Sequence, residues 1–171
     1  MTLAYNGPLP AVTSLNRPYW EGLRRHELSV PRCDNCSVFW LPPGPWCPGC
    51  WSRQFTWTAV SGRGTVTSWV RFHKRYFHDG AFDVPYAVVE VTLAEGPRVY
   101  ANLVDHAGEA PTAGLSVEVC FEDVADDLTL ARFRPTGERT SPTNQTNQTN
   151  QTSPTNQTNQ LNKTNQRGSQ P

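Results

Sequence analysis

The sequence predicts a mainly β protein with a short N-terminal helix, a small metal-stapled unit, and a five-stranded barrel of the OB type. Three observations predict this. Four of the five cysteines fall in two CxxC pairs, Cys33/Cys36 and Cys47/Cys50, with ten residues between them. Between Thr65 and Arg134 five segments alternate apolar and polar side chains with period two. From Ser141 onward a Thr-Asn-Gln repeat carries one apolar side chain, Leu161. Such a tract cannot bury enough surface to offset the entropy of ordering it. The domain organisation expected is a flexible N-terminus over 1–16, a helix over 17–30, the metal unit over 31–54, the barrel over 55–136 and a disordered tail over 137–171.

The helix comes first along the chain. Pro18 suits its first turn. Trp20, Leu23, Glu27 and Leu28 lie at the spacing of one partly apolar face, and Gly22 weakens it. A helix this short is marginal alone. It needs a surface, either its own domain or a partner.

The cysteine cluster is the strongest chemical signal. Two CxxC turns can present four thiolates to one tetrahedral ion, and zinc is the ion that such sets prefer. The ten-residue link, with Pro42, Pro43 and Pro45, fits a short hairpin and is too short to hold a helix. Iron at the same sulfurs and a redox CxxC are the alternatives; a redox pair would normally stand beside a βαβ pattern. Four cysteines leave no open coordination position, so the expected Zn2+ is structural. Cys120 reads as a half-buried thiol in a strand.

The strands follow. Val66, Ser68, Val70 and Phe72 alternate with Thr65, Thr67, Trp69 and Arg71. Ala87 to Leu93, Val99 to Leu103, Ser116 to Asp123 and Leu128 to Arg134 complete the set, punctuated by Glu95-Gly-Pro97 and Asp126-Asp127. β-branched and aromatic residues between such turns read as strands. Five antiparallel strands in this length suggest a closed barrel, with the OB-fold leading. Ser61-Gly-Arg-Gly-Thr65 enters a strand rather than a helix and reads as a bulged bend, not a phosphate loop.

One loop carries more than a connection needs. From Phe72 to Pro85 it interleaves His73, Lys74, Arg75 and His78 with Tyr76, Phe77 and Phe82. Cations can meet phosphates there while rings stack on a base. The plain alternative is a loop that covers the barrel mouth.

Charge and targeting narrow the classes. Residues 1–135 hold 12 Lys and Arg against 14 Asp and Glu, a formal −2, which disfavours nucleic acid. No signal peptide or membrane-spanning run is read, so a cytoplasmic location is expected. The Asn-x-Thr triplets of the tail then read as a repeat expansion. No GxSxG elbow or P-loop is present.

The order of parts is recognisable. Tyr19-Trp-Glu-Gly-Leu23, the two CxxC pairs, Phe39-Trp-Leu-Pro-Pro43, Val60-Ser-Gly-Arg-Gly-Thr-Val66, Val84-Pro-Tyr-Ala-Val-Val-Glu-Val91, Val119-Cys-Phe-Glu-Asp123 and Phe133-Arg-Pro135 follow one another. Over residues 17–135 this resembles the zinc-ribbon/OB-fold proteins that accompany thiolase-superfamily enzymes. The resemblance implies a rubredoxin-like zinc ribbon with Cys33, Cys36, Cys47 and Cys50 as ligands. It implies a non-catalytic subunit, in a hetero-oligomer with a thiolase-like partner that performs acyl-CoA thiolysis, acetyl transfer or aldol cleavage of steroid side-chain CoA thioesters. Tyr19, Trp20 and Leu23 become partner-contact candidates. His73, Lys74, Arg75, Tyr76, Phe77, His78 and Phe82 become a candidate wall for the CoA thioester. Ser37 and Trp51 stand where such proteins often have glycine after each CxxC. Two rivals remain: a single-stranded nucleic-acid binder, and a free-standing CoA-thioester enzyme with His73 or His78 as base.

Overall fold

The computed structural model describes Tyr5 and residues 7–76, 83–106 and 110–139. Helix α1 runs Arg17–Arg24. Strands β1, Ser29–Cys33, and β2, Phe55–Ala59, form a two-stranded antiparallel sheet. Strands β3 (Arg63–Phe72), β4 (Tyr86–Leu93), β5 (Arg98–Leu103), β6 (Leu115–Ala125) and β7 (Leu128–Arg139) close a barrel in the order β3-β4-β5-β7-β6. That is the predicted five-stranded barrel, closed by a single parallel contact of Leu103 with Phe133.

The helix ends at Arg24, short of residue 30. His26 takes a left-handed φ of 56°. Its N–H and that of Glu27 donate back to the carbonyls of Leu23 and Gly22, at 2.8 and 3.0 Å. This is a Schellman closure with histidine where glycine is usual. Gly22 is needed on the other side of the closure, because a Cβ there would lie 2.9 Å from the Glu27 carbonyl oxygen. Glu27 and Leu28 therefore leave the helical stripe. Leu28 is buried nonetheless, on the approach to β1.

The boundary expected at residue 55 falls inside a sheet. Phe55–Ala59 pairs with Ser29–Cys33, so it closes the ribbon rather than opening the barrel. Neither ribbon strand was evident from sequence. Pro31 sits in the middle of β1, and a proline demotes a run to an edge position. A two-stranded sheet consists only of edges, so the proline is tolerated.

The barrel core gathers Val66, Val89, Val91, Val117 and Phe133, all without exposed surface or nearly so, and Leu23 and Leu28 join it. The helix thus packs on its own domain. Gly64 lets β3 cross β4 closely: a Cβ would lie 2.5 Å from Val91 and 2.6 Å from the Thr92 carbonyl oxygen. The irregularity of β3 itself falls between Val66 and Ser68, just past the expected bend. It shifts the alternation, leaving Trp69 and Val70 both exposed.

Candidate functional site

The four CxxC cysteines converge from two short loops built alike. Cys33 ends β1 and is buried; Cys36 is exposed. In the first loop the Ser37 N–H donates to the Cys33 carbonyl at 2.9 Å, and the Cys33 N–H donates to that of Val38 at 2.9 Å. The second loop repeats this pattern, with Trp51 N–H to Cys47 oxygen at 2.9 Å and Cys47 N–H to Ser52 oxygen at 2.8 Å. Ser37 and Trp51 share a φ of 61°. The turn geometry that glycine would favour is therefore kept without glycine.

The sulfur atoms all lie within 4.8 Å of one another. Two of the pairs, Cys33 with Cys50 and Cys36 with Cys47, are 3.5 Å apart and cross between the loops. Disulfide sulfurs sit at about 2.05 Å, so these are four thiols. A tetrahedron with metal–sulfur bonds of about 2.3 Å has edges of about 3.8 Å. The cluster is of that size.

Backbone and side-chain donors prepare the sulfurs for charge. The Cys36 N–H approaches Cys33 Sγ at 3.5 Å, and the Gly49 N–H approaches Cys47 Sγ at 3.3 Å. The Ser52 N–H and the Asn35 amide, with Cys36 beside them, hold the Cys50 thiol down at about 6. The Val38 N–H lowers Cys36 too, but the thiol of Cys50 and burial outweigh it and push Cys36 up to about 12. Sulfurs this close cannot all ionise side by side without a counter-charge. A divalent cation supplies one, and four thiolates then become its ligands. Sequence spacing located the four cysteines that converge. Asn35, and the amides of Gly49 and Ser52, were missed; their signal is only their place within and after each CxxC.

The family models meet the same residues. A rubredoxin-like zinc ribbon domain of ChsH2 matches residues 20–56, and the C-terminal OB-fold domain of ChsH2 matches residues 57–122. A DUF35 domain-containing scaffold protein of Pyrococcus furiosus is 35% identical over 126 residues, spanning 68% of this chain and 90% of that one. The chain belongs to the ChsH2 (DUF35) family. A structure described as an Ltp2-ChsH2(DUF35) aldolase is 34% identical, with a TM-score of 0.68, covering 74% of this chain and 98% of that chain. A "Probable enoyl-CoA hydratase alpha subunit" of Thermomonospora curvata is 34% identical over 128 residues, 75% of this chain. The chain spans about two fifths of the length of that relative, 40%.

Within this ChsH2-type fold the other candidate residues separate. Leu23, expected at a partner surface, is wholly buried in the barrel core and has no surface to offer. Tyr19 and Trp20 meet edge to face at 5.1 Å. Burial pushes Tyr19 up to about 12. Both line a groove of about 660 Å³ with Leu41, Pro42, Val99 and Tyr100, where helix, ribbon link and β5 come together. Nothing in the sequence joined those three segments, because the groove is made by tertiary packing.

Of the loop after β3, His73, Lys74, Arg75 and Tyr76 are exposed. Phe72 stacks on Tyr86 at 4.9 Å and meets Tyr76 edge-on at 5.9 Å. Lys74 Nζ lies 5.8 Å from the Tyr76 ring, and Arg75 reaches Asp83 at 3.9 Å. Phe77, His78 and Phe82 lie outside the described residues. Cys120 is partly buried, and burial raises its thiol. No described helix is long and apolar enough to cross a membrane.

Proposed function

We propose that this chain is a non-catalytic accessory subunit, held in shape by one Zn2+ at Cys33, Cys36, Cys47 and Cys50, that docks on a thiolase-like acyl-CoA enzyme. The observation that carries the reading is the match to the ChsH2(DUF35) component of an aldolase complex, over nearly all of that chain. The scaffold designation of the Pyrococcus relative points the same way. The enzyme partner supplies the nucleophile or the acid and base. This chain supplies position, by holding the partner and the CoA thioester in register.

Two surfaces serve that role. The apolar groove lined by Tyr19 and Trp20 is a partner contact. The loop from His73, through Lys74, Arg75 and Tyr76, to Phe77, His78 and Phe82, is a contact for the CoA thioester. Its cations suit phosphates, and its exposed Tyr76 ring suits adenine.

The hydratase relative favours a second reading, in which the same ribbon and barrel serve a hydratase. One experiment separates the two. The full-length tagged chain is purified from its native host and its stoichiometric companions are identified by mass spectrometry. A thiolase-superfamily subunit supports the first reading and a hydratase subunit the second. Nucleic acid, or no companion, overturns both. One zinc per chain, absent in Cys47→Ser, is the expected metal content.

A further inference from the structure

We propose that the second cysteine loop is a protein-docking tip with Trp51 as its anchor. This rests on the accessory reading above: the partner is its thiolase-like subunit, met through an apolar pocket with a carboxylate-bearing rim.

Trp51 is 76% exposed and holds a φ of 61°. A large side chain in left-handed backbone costs free energy that glycine would not. The first loop meets the same backbone requirement with Ser37, small and polar. The fold therefore does not require an indole at that position. Backbone strain combined with an exposed aromatic ring points to a function outside the fold.

The neighbourhood is of the same kind. Trp46 and Val38 are 37% and 39% exposed. Trp46 and Trp51 bracket the Cys47–Cys50 turn. The Arg53 guanidinium lies over the Trp46 ring, with Cζ 4.2 Å from its centroid, a cation–π contact beside which an arginine can also meet carboxylates. Tryptophan and arginine are the side chains that most often dominate protein interfaces. The tip is also ordered in advance. The Trp51 N–H is tied to the Cys47 carbonyl at 2.9 Å, and the Cys47 N–H to that of Ser52 at 2.8 Å. An anchor already held in place loses little entropy on binding.

Charge favours a protein over a nucleic acid here. Between Ser29 and Ala59 the chain carries Arg32, Arg53 and Asp34. Zinc with four thiolates adds two negative charges, so the loaded ribbon is not cationic. Phosphate backbones demand the opposite.

The test uses the zinc-loaded full chain and, as probe, the thiolase-superfamily protein that co-purifies with it. Trp51→Gly and Trp51→Ser are titrated against that protein by calorimetry, and the Tm and zinc content of each free variant are measured. The expected result is a Kd weaker by about thirtyfold or more, as for an interface anchor. Zinc content is unchanged, and the Tm of Trp51→Gly is equal or higher. An unchanged Kd, with wild type binding normally, sinks the tip and leaves the accessory reading standing. A fall in Tm shows that the indole packs on its own fold, and sinks the tip as well. Wild type with no affinity for the thiolase-superfamily protein sinks both. Quenching of Trp51 fluorescence by a single-stranded DNA oligonucleotide, lost in both variants, replaces the protein partner with nucleic acid.

Discussion

Between Ser29 and Ala59 the ribbon forms a cluster of its own from Cys33, Trp40 and Cys47, with Cys50 and Phe55 beside it. Between Arg63 and Arg139 the barrel buries a continuous apolar set centred on Phe133, Val89 and Val117. Two of the three residues at the heart of the ribbon are candidate metal ligands. The barrel's core contains no ligand. With cysteines making up most of that small cluster, a metal at the four sulfurs is expected to be what orders the ribbon. The barrel's stability is a property of packed hydrocarbon. The difference bears on the surfaces proposed above: one is a tip that a bound metal would hold, the others a loop and a groove on a packed scaffold.

The largest expected effect breaks the comparison at the ribbon. Structural zinc sites in small peptides carry about 10–16 kcal/mol of apparent binding free energy. Cys47→Ser, or exhaustive chelation, is expected to abolish amide-exchange protection across Ser29–Cys33 and Phe55–Ala59. Protection in β4 and β7 should persist. Simultaneous loss of protection in both regions would show that Leu23 and Leu28, which join the barrel core, bind the ribbon into one cooperative unit.

The reverse experiment touches only the barrel. Phe133 has no exposed surface. Phe133→Ala is expected to cost about 3–5 kcal/mol in denaturant unfolding, with zinc content unchanged. A variant that lost its metal as well would mean the cysteine loops depend on the barrel for their geometry. Leu23→Ala comes next, at about 2–5 kcal/mol. It would place the helix energetically with the barrel, as its burial does.

The same contrast governs how much could be read from the sequence. The barrel strands were legible because their apolar and polar side chains alternate; over Ala87–Leu93 this alternation matches a fully buried face and a half-buried one. The four-cysteine cluster was legible because paired CxxC spacing brings sulfurs together at the geometry a tetrahedral ion requires. The ribbon strands were hidden by Pro31, which their edge position tolerates. The helix end was hidden because His26, rather than glycine, takes the left-handed turn. The groove beside Trp20 was hidden because β5 comes from some eighty residues away. Trp51 was visible as a departure from glycine, but its exposure and its φ were not.

The smallest expected effect lies where the helix end meets the barrel. His26 Nε2 is 3.1 Å from both Asp123 carboxylate oxygens, and its ring stacks on Phe121 at 5.2 Å. Thr129 Oγ1 donates to Asp123 at 2.7 Å. The Thr129 hydroxyl first, and His26 second, hold the Asp123 carboxyl below its ordinary range. A folded-state pKa below the unfolded one gives stability that is present above the unfolded value. It is lost as pH falls through the folded value. The window therefore opens near the ordinary aspartate value of about 3.9 and extends below it. Asp123→Asn should flatten the acid limb of a stability–pH curve there, and Thr129→Val should flatten it more than removal of the His26 ring does. Asp123 and His26 are both exposed and screened, so the effect of their contact on Tm at neutral pH should be slight. Metal content should not change in either variant. If it did, the contact of His26 with Asp123 would be setting the ribbon's position as well as closing the helix.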